Sequence, residues 1–180
     1  MSTANPTIWA ENRSDFRLRA ICKDDIENLR IWKNENKVSF FMKEDITQEQ
    51  QAQWYRDICK REHDFMFVVE QKVESDWEEV GCMGIRKREA EKCIDAYNII
   101  RSRRIEPTSF KMSEALSVML AFAANQYSEM PILCRVLRNN PAVEWYKKNN
   151  FSIVSRKADY FLLELDKKTL SDLRINVINK

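Results

Sequence analysis

The sequence predicts an α+β domain whose sheet is mixed but mostly antiparallel, with about seven strands, and three observations carry that expectation. Segments of period two alternate with segments of helical period along the chain, with no internal repeat, low-complexity tract or linker between them. Midway, three strand-like runs follow one another with only charged turns between them, the pattern of an antiparallel meander. Later, the stretch RVLRNNPAVEWYKKNNF, residues 135–151, reads as strand, sharp turn, two-turn helix, sharp turn and strand.

Each element has its own local reason. Residues 16–21 alternate apolar and polar and form a strand. Asp24 or Asp25 caps the helix that follows, whose Ile26, Leu29 and Trp32 recur at helical spacing. Thr47-x-x-Gln50 is a capping box that opens a second helix with Trp54, Tyr55 and Ile58 on its inner face. The three meander strands cover residues 65–71, 80–88 and 93–101. A longer helix, about residues 109–127, carries Met112, Ala115, Leu116, Met119, Phe122 and Ala123 on one side. Residues 132–137 suit a mostly buried strand. Asn140 is then a favoured N-cap, and Pro141 takes the first helical position, where its missing N–H costs nothing. Asn150 is placed to turn the chain through a left-handed residue, a place glycine usually takes and asparagine fills as its substitute. Strands at 151–156 and 160–165 complete the order, and the charged tail has room for a short helix.

Composition bounds the function. At 180 residues the chain fits one domain, 1–180, with residues 1–15 as an N-terminal extension and 166–180 as a C-terminal tail. A hydrophobic content of 44%, charged content of 32% and net charge of +2 give no electrostatic argument for a nucleic-acid or membrane partner. The basic stretches RKREAEK and RSRR are offset by acidic residues elsewhere. The polar N-terminus is no secretory signal, and the apolar run 116–124 is too short to span a bilayer. Five scattered cysteines without a C-x-x-C pair read as reduced, packed thiols of a cytoplasmic protein. Only two glycines, Gly81 and Gly84, exclude a Walker loop and a dinucleotide fingerprint; serine-hydrolase and kinase signatures are absent. A single histidine, His63, in the turn R-E-H-D gives no expectation of a metal.

The element order and one motif together resemble the GNAT superfamily of acetyl-CoA-dependent N-acetyltransferases, over about residues 16–165. Asn139, Ala142, Tyr146 and Phe151 match that family's N-x-x-A-x-x-x-Y-x-x-x-G-F signature, with Asn150 in the glycine position. The early segments L-R-x-x-x-x-x-D, W-K-N-E-N-K-V and I-T-Q-E-Q-Q-A-Q-W resemble the branch that includes ribosomal-protein and nucleotide-sugar N-acetyltransferases. The resemblance implies a three-layer α/β/α arrangement with a splayed parallel strand pair. It also implies acetyl transfer from acetyl-CoA to a primary amine by direct attack, without a metal. The acceptor is a nucleotide-linked amino sugar, another small amine or a protein amine, and a homodimer is one assembly it allows.

Such chemistry needs a neutral amine, a donor for the oxyanion and an acid for the departing thiolate. Carried over from the family, Ile99 and Ile100 contribute backbone contacts at the thioester, Asn139 touches the cofactor arm and Tyr146 is the acid; Tyr146 also suits simple packing beside Ala142. Asp95 and Tyr97, next to the thioester position, are the base candidates, and Glu70 ends a neighbouring strand. Trp32, Phe40 and Phe41 fall where relatives build the acceptor pocket, although aromatic residues of this spacing also pack cores. The phosphate loop departs from the pattern. Its glycine positions hold Phe110 and Met112, within Phe110-Lys111-Met112-Ser113, so the pyrophosphate cradle depends on helix-start amides and on Arg101, Arg103, Arg104 and Lys111. The same loss leaves open a GNAT-like binding module without turnover.

Overall fold

The computed structural model describes residues 5–103 and 111–179. Phe110, Arg104 and the first two residues of the expected long helix lie outside that set. The elements are β1 (Pro6–Ala10), β2 (Phe16–Ala20), α1 (Ile26–Glu35), α2 (Gln48–Ile58), β3 (Asp64–Val73), β4 (Asp76–Arg88), β5 (Cys93–Arg101), α3 (Met112–Gln126), β6 (Ile132–Leu137), α4 (Ala142–Lys148), β7 (Phe151–Arg156), β8 (Tyr160–Leu165) and β9 (Ile175–Asn179). Short 3-10 turns stand at Lys23–Asp25, Lys37–Ser39, Glu89–Glu91 and Lys167–Leu170.

Among the described residues nine strands form one sheet, in the order β7-β8-β6-β5-β4-β3-β2-β1-β9, where about seven were expected. The two additional strands come from the segments read as extension and tail. β1 pairs antiparallel with β2 at Thr7↔Arg19 and Ile8↔Leu18, and β9 adds to its other edge from Pro6↔Asn179 to Ala10↔Ile175. The expected short helix of the tail is present as the 3-10 turn, with β9 beyond it.

Local signals hold with small shifts. The Gln50 amide donates to Thr47 Oγ1 at 3.2 Å and the Thr47 amide to Gln50 Oε1 at 2.9 Å, a complete capping box. Asn150 has φ 64°. α4 begins at Ala142 with Pro141 in the cap position, one residue later than expected, and Asn140 Oδ1 accepts from the Ala142 amide at 2.9 Å in the turn before it. The expected cap of α1 is a correction. The Asp25 carboxylate reaches backward, accepting from the Cys22 amide at 2.6 Å and from the Arg19 guanidinium at 2.8 and 3.0 Å, so it ties the turn to β2 instead of capping forward.

Helices cover both faces of the sheet. β3 is apolar without alternation because both its faces are buried: Phe67 and Val69 join the core under α3 and α4 with Leu116 and Tyr146, while Met66 and Val68 pack with Leu29, Trp32 and Ile58 of α1 and α2. Cys82, Cys93 and Cys134 are buried as expected of packed thiols, whereas Cys22 and Cys59 are exposed. Among the described residues no helix is long and apolar enough to cross a membrane.

Candidate active site

β5 and β6 are the parallel neighbours, and they pair only at Ile94↔Ile132 and Asp95↔Leu133. Beyond those two pairs the strands diverge and leave their facing backbone edges without each other. β5 carries a second irregularity. Cys82↔Ile100 and Gly84↔Tyr97 are in register, so Asn98 and Ile99 together oppose the single residue Met83. Asn98, at φ 50°, makes this bulge possible, since asparagine tolerates the left-handed region better than most residues. Both glycines of the chain flank it on β4. A Cβ on Gly81 would stand 2.2 Å from the Ile100 carbonyl oxygen, so the bulge lies against a position that only glycine can occupy.

A cleft of about 870 Å³ opens along this divergence, with α1, the loop after it and α2 on one side and the start of α4 on the other. Of the expected site residues, Asp95, Tyr97, Ile99, Ile100, Arg101, Tyr146, Phe40 and Phe41 line it together. The other described ones lie elsewhere. Trp32 is 4% exposed and sits in the core with Leu29 and Ile58, because its turn of α1 faces the sheet. Asn139 is exposed at a neighbouring hollow, and Asn140, the other half of the asparagine pair, lines the cleft. Lys111, Met112 and Ser113 stand at the start of α3, where Glu114 Oε2 accepts from the Lys111 amide at 3.0 Å and Met112 packs on the core.

The two expected base residues are already engaged. Asp95 is buried; its Oδ2 accepts from Arg86 Nε at 2.9 Å and Nη2 at 2.8 Å, and its Oδ1 from Arg135 Nη1 at 2.7 Å. Both oxygens are thus directed at guanidinium groups. Tyr97 donates its hydroxyl to Asp64 Oδ1 at 2.5 Å and lies under the Arg86 guanidinium, 4.4 Å from its ring centroid. Burial and then the Asp64 charge hold its pKa well above the ordinary phenol. Glu70, on β3 two strands from β5, accepts from Arg17 at 2.5 Å and Arg19 at 2.9 Å.

Tyr146 is 8% exposed, edge-on to Trp145 and Phe151, and its hydroxyl has no hydrogen-bond partner among the described residues. Burial pushes its pKa well above the ordinary value, and Cys134 and Asp95 act in the same direction, so it stays protonated. Phe41, 54% exposed, meets Tyr160 edge to face at 5.7 Å across the cleft mouth. Sequence reasoning missed one lining residue of note, Lys33. The available signal was its place on α1 four residues after Leu29, a position on the apolar face that holds a charged side chain. Among the described residues no cluster of three or more His, Cys, Asp or Glu is gathered for a metal.

Known proteins supply the comparison. The family model described as Acetyltransferase (GNAT) domain matches residues 15–151. The structure described as apo FdhC, a nucleotide-linked sugar GNAT, is similar at TM-score 0.74 and 14% identity, over 91% of this chain and 93% of that one. A domain from Methanocaldococcus jannaschii is similar at TM-score 0.70 and 14% identity, over 93% and 100%. Spermidine N-acetyltransferase from Vibrio cholerae, in complex with CoA and spermine, is similar at TM-score 0.68 and 17% identity, over 93% and 96%. No curated protein sequence matches the chain significantly.

Proposed function

The chain belongs to the GNAT acetyltransferase family, and from that premise we propose that it moves the acetyl group of acetyl-CoA onto the amine of a small, negatively charged acceptor. A nucleotide-linked amino sugar is the class that fits. The observation that carries this reading is the charge of the cleft lining among the described residues: Arg86, Arg88, Arg101 and Arg135 against the single carboxylate of Asp95. Counting Glu91, which binds Arg88 and Arg135 from outside the lining, arginines still outnumber carboxylates. A polyamine carries several positive charges and would be repelled, whereas phosphates pair well with guanidinium groups. Phe40, Phe41 and Tyr160 offer flat apolar faces to a base or sugar ring.

The donor fits the cleft on the chain's own features. The unpaired edges of β5 and β6 leave backbone groups for the pantetheine amides, and the bulge at Asn98–Ile99 turns amides out of the ladder toward a thioester carbonyl. Asn140 takes the arm contact first expected of Asn139. The Lys111 amide is engaged by Glu114, so the Met112 and Ser113 amides at the start of α3 are left for the pyrophosphate.

In the transfer, the acceptor nitrogen forms a C–N bond to the acetyl carbon while the C–S electrons leave on sulfur. Tyr146, protonated and without a partner among the described residues, donates a hydrogen bond to that sulfur as its charge develops. The sulfur ends protonated by the proton that the amine sheds. Asp95 orients Arg86 and Arg135 and takes no proton.

Calorimetric titration of acetyl-CoA tests the donor; no heat at millimolar donor with folded protein would favour a binding module without turnover. Acetylation of a UDP-linked amino sugar but not of spermidine tests the acceptor. The opposite preference would overturn the charge argument.

A further inference from the structure

Lys33 is the cleft cation that the reading above does not use. It projects from the inner face of α1, and among the described residues no carboxylate pairs with it. Its Nζ donates to Asn98 Oδ1 and lies 4.0 Å from the Phe40 ring centroid. Asn98 is the left-handed residue of the β5 bulge, so the Lys33 amine is held against the point where β5 turns its backbone into the cleft. The other candidates there have no basic atom to offer: arginines take both Asp95 oxygens, and Tyr97 spends its hydroxyl on Asp64.

We infer that Lys33 is the general base, taking the proton from the acceptor's ammonium group beside the Asn98 bulge. The inference rests on reading the cleft as an acetyl-transfer site. In balance, the Lys33 Nζ lone pair forms an N–H bond as the acceptor's N–H bond breaks, leaving a neutral acceptor amine and a lysine ammonium. That amine then forms the amide as the C–S bond breaks. Lys33 returns its proton to water before the next turnover.

Its surroundings suit a group that cycles between two charge states. Asn98 Oδ1 and the Phe40 face accept the ammonium without neutralising it, and a partly desolvated lysine without a counter-charge gives up its proton readily. Burial lowers the Lys33 pKa to about 8, Arg86 of β4 acts in the same direction, and Cys82 of β4 acts against. The other charged or titratable residues of the cleft are Arg88, Asp95, Tyr97, Arg101, Arg135, Tyr146 and Tyr160, and α1 itself adds Glu27, Arg30 and Glu35. Because the neutral form is the active one, turnover rises as pH passes upward through about 8.

Two measurements test this. Competitive labelling with acetic anhydride across pH, read at Lys33 by mass spectrometry, needs no acceptor; the expected midpoint is about 8, with protection by CoA, and a midpoint at the ordinary 10.5 or no protection overturns the inference. Lys33→Arg keeps the cation and cannot release its proton at these pH values. With a UDP-linked amino sugar as acceptor, its kcat should fall by about 10²–10⁴-fold and the rise through pH 8 should vanish, while melting temperature and CoA affinity stay as in the wild type. Lys33→Gln gives the same readout if arginine does not fit. Wild-type turnover and pH profile in a folded variant, or a loss confined to acceptor KM, would remove Lys33 as the base. Wild-type protein inactive on the sugar overturns the acceptor reading instead, and the labelling midpoint still decides Lys33.

Discussion

Between β4 and β5 seven residue pairs are in register, and between β5 and β6 there are two. The same strand therefore has one side closed along nearly its whole length and one side open after its first third. On the closed side the neighbour comes so near that Gly81 has no room for a side chain. On the open side the space is lined by Tyr146, Arg135 and Asn140. The difference teaches that in this sheet the residues available for chemistry are those beside backbone that lacks a partner, while those on the closed side hold β5 in place. Substitutions on the open side should cost turnover, and those on the closed side should cost stability.

The largest expected effect belongs to the open side. Tyr146→Phe removes a hydroxyl that has no partner among the described residues, so kcat should fall about 10²–10⁴-fold while melting temperature and acetyl-CoA affinity change little. Full turnover in this variant would leave the open side with packing alone. On the closed side, Gly81→Ala should lower stability by about 1–3 kcal/mol, measured by denaturant unfolding, because the added Cβ meets a backbone oxygen that cannot move without shifting the bulge. An unchanged midpoint would show that this side has slack. Phe41→Ala, at the exposed mouth, should raise acceptor KM up to about tenfold and leave the donor's KM near its wild-type value. Equal changes in both would return Phe41 to a structural role. The smallest effect is expected at Asn150→Ala, far from either side, where the left-handed φ of 64° should cost about 1 kcal/mol of stability with kcat intact.

What could be read from the sequence depended on how locally each feature is determined. The strands at 93–101, 132–137, 151–156 and 160–165 were placed to the residue, and the Thr47 box and the Asn150 turn were found because a cap or a turn is decided within four or five residues. β1 and β9 were missed because each is five residues long and pairs with a segment at the other end of the chain. In the candidate site, residue type pointed to Tyr146, Phe40 and Phe41, all of which line the cleft, but not to which neighbour in a pair turns inward. Trp32 and Lys33 are adjacent, and so are Asn139 and Asn140; in each pair the more familiar motif position was chosen, and the backbone directs the other into the cleft. For Lys33 the spacing from Leu29 is the one local signal, and it competes with the rule that a lysine in a helix is usually solvated; the Asn98 bulge and the Phe40 ring that give it a different setting come from elsewhere in the chain.

Pro6 opposite Asn179 has a consequence for chain connectivity. The first and last strands lie side by side at one margin of the sheet, four and five positions from β5 and its cleft. A short flexible bridge joining the two ends, with new ends cut at the exposed Glu74–Ser75 turn between β3 and β4, gives a circularly permuted chain in which every strand keeps its neighbours. Such a chain should assemble the same cleft, since the divergence of β5 and β6 is set by what packs against them and not by the order in which the strands are linked.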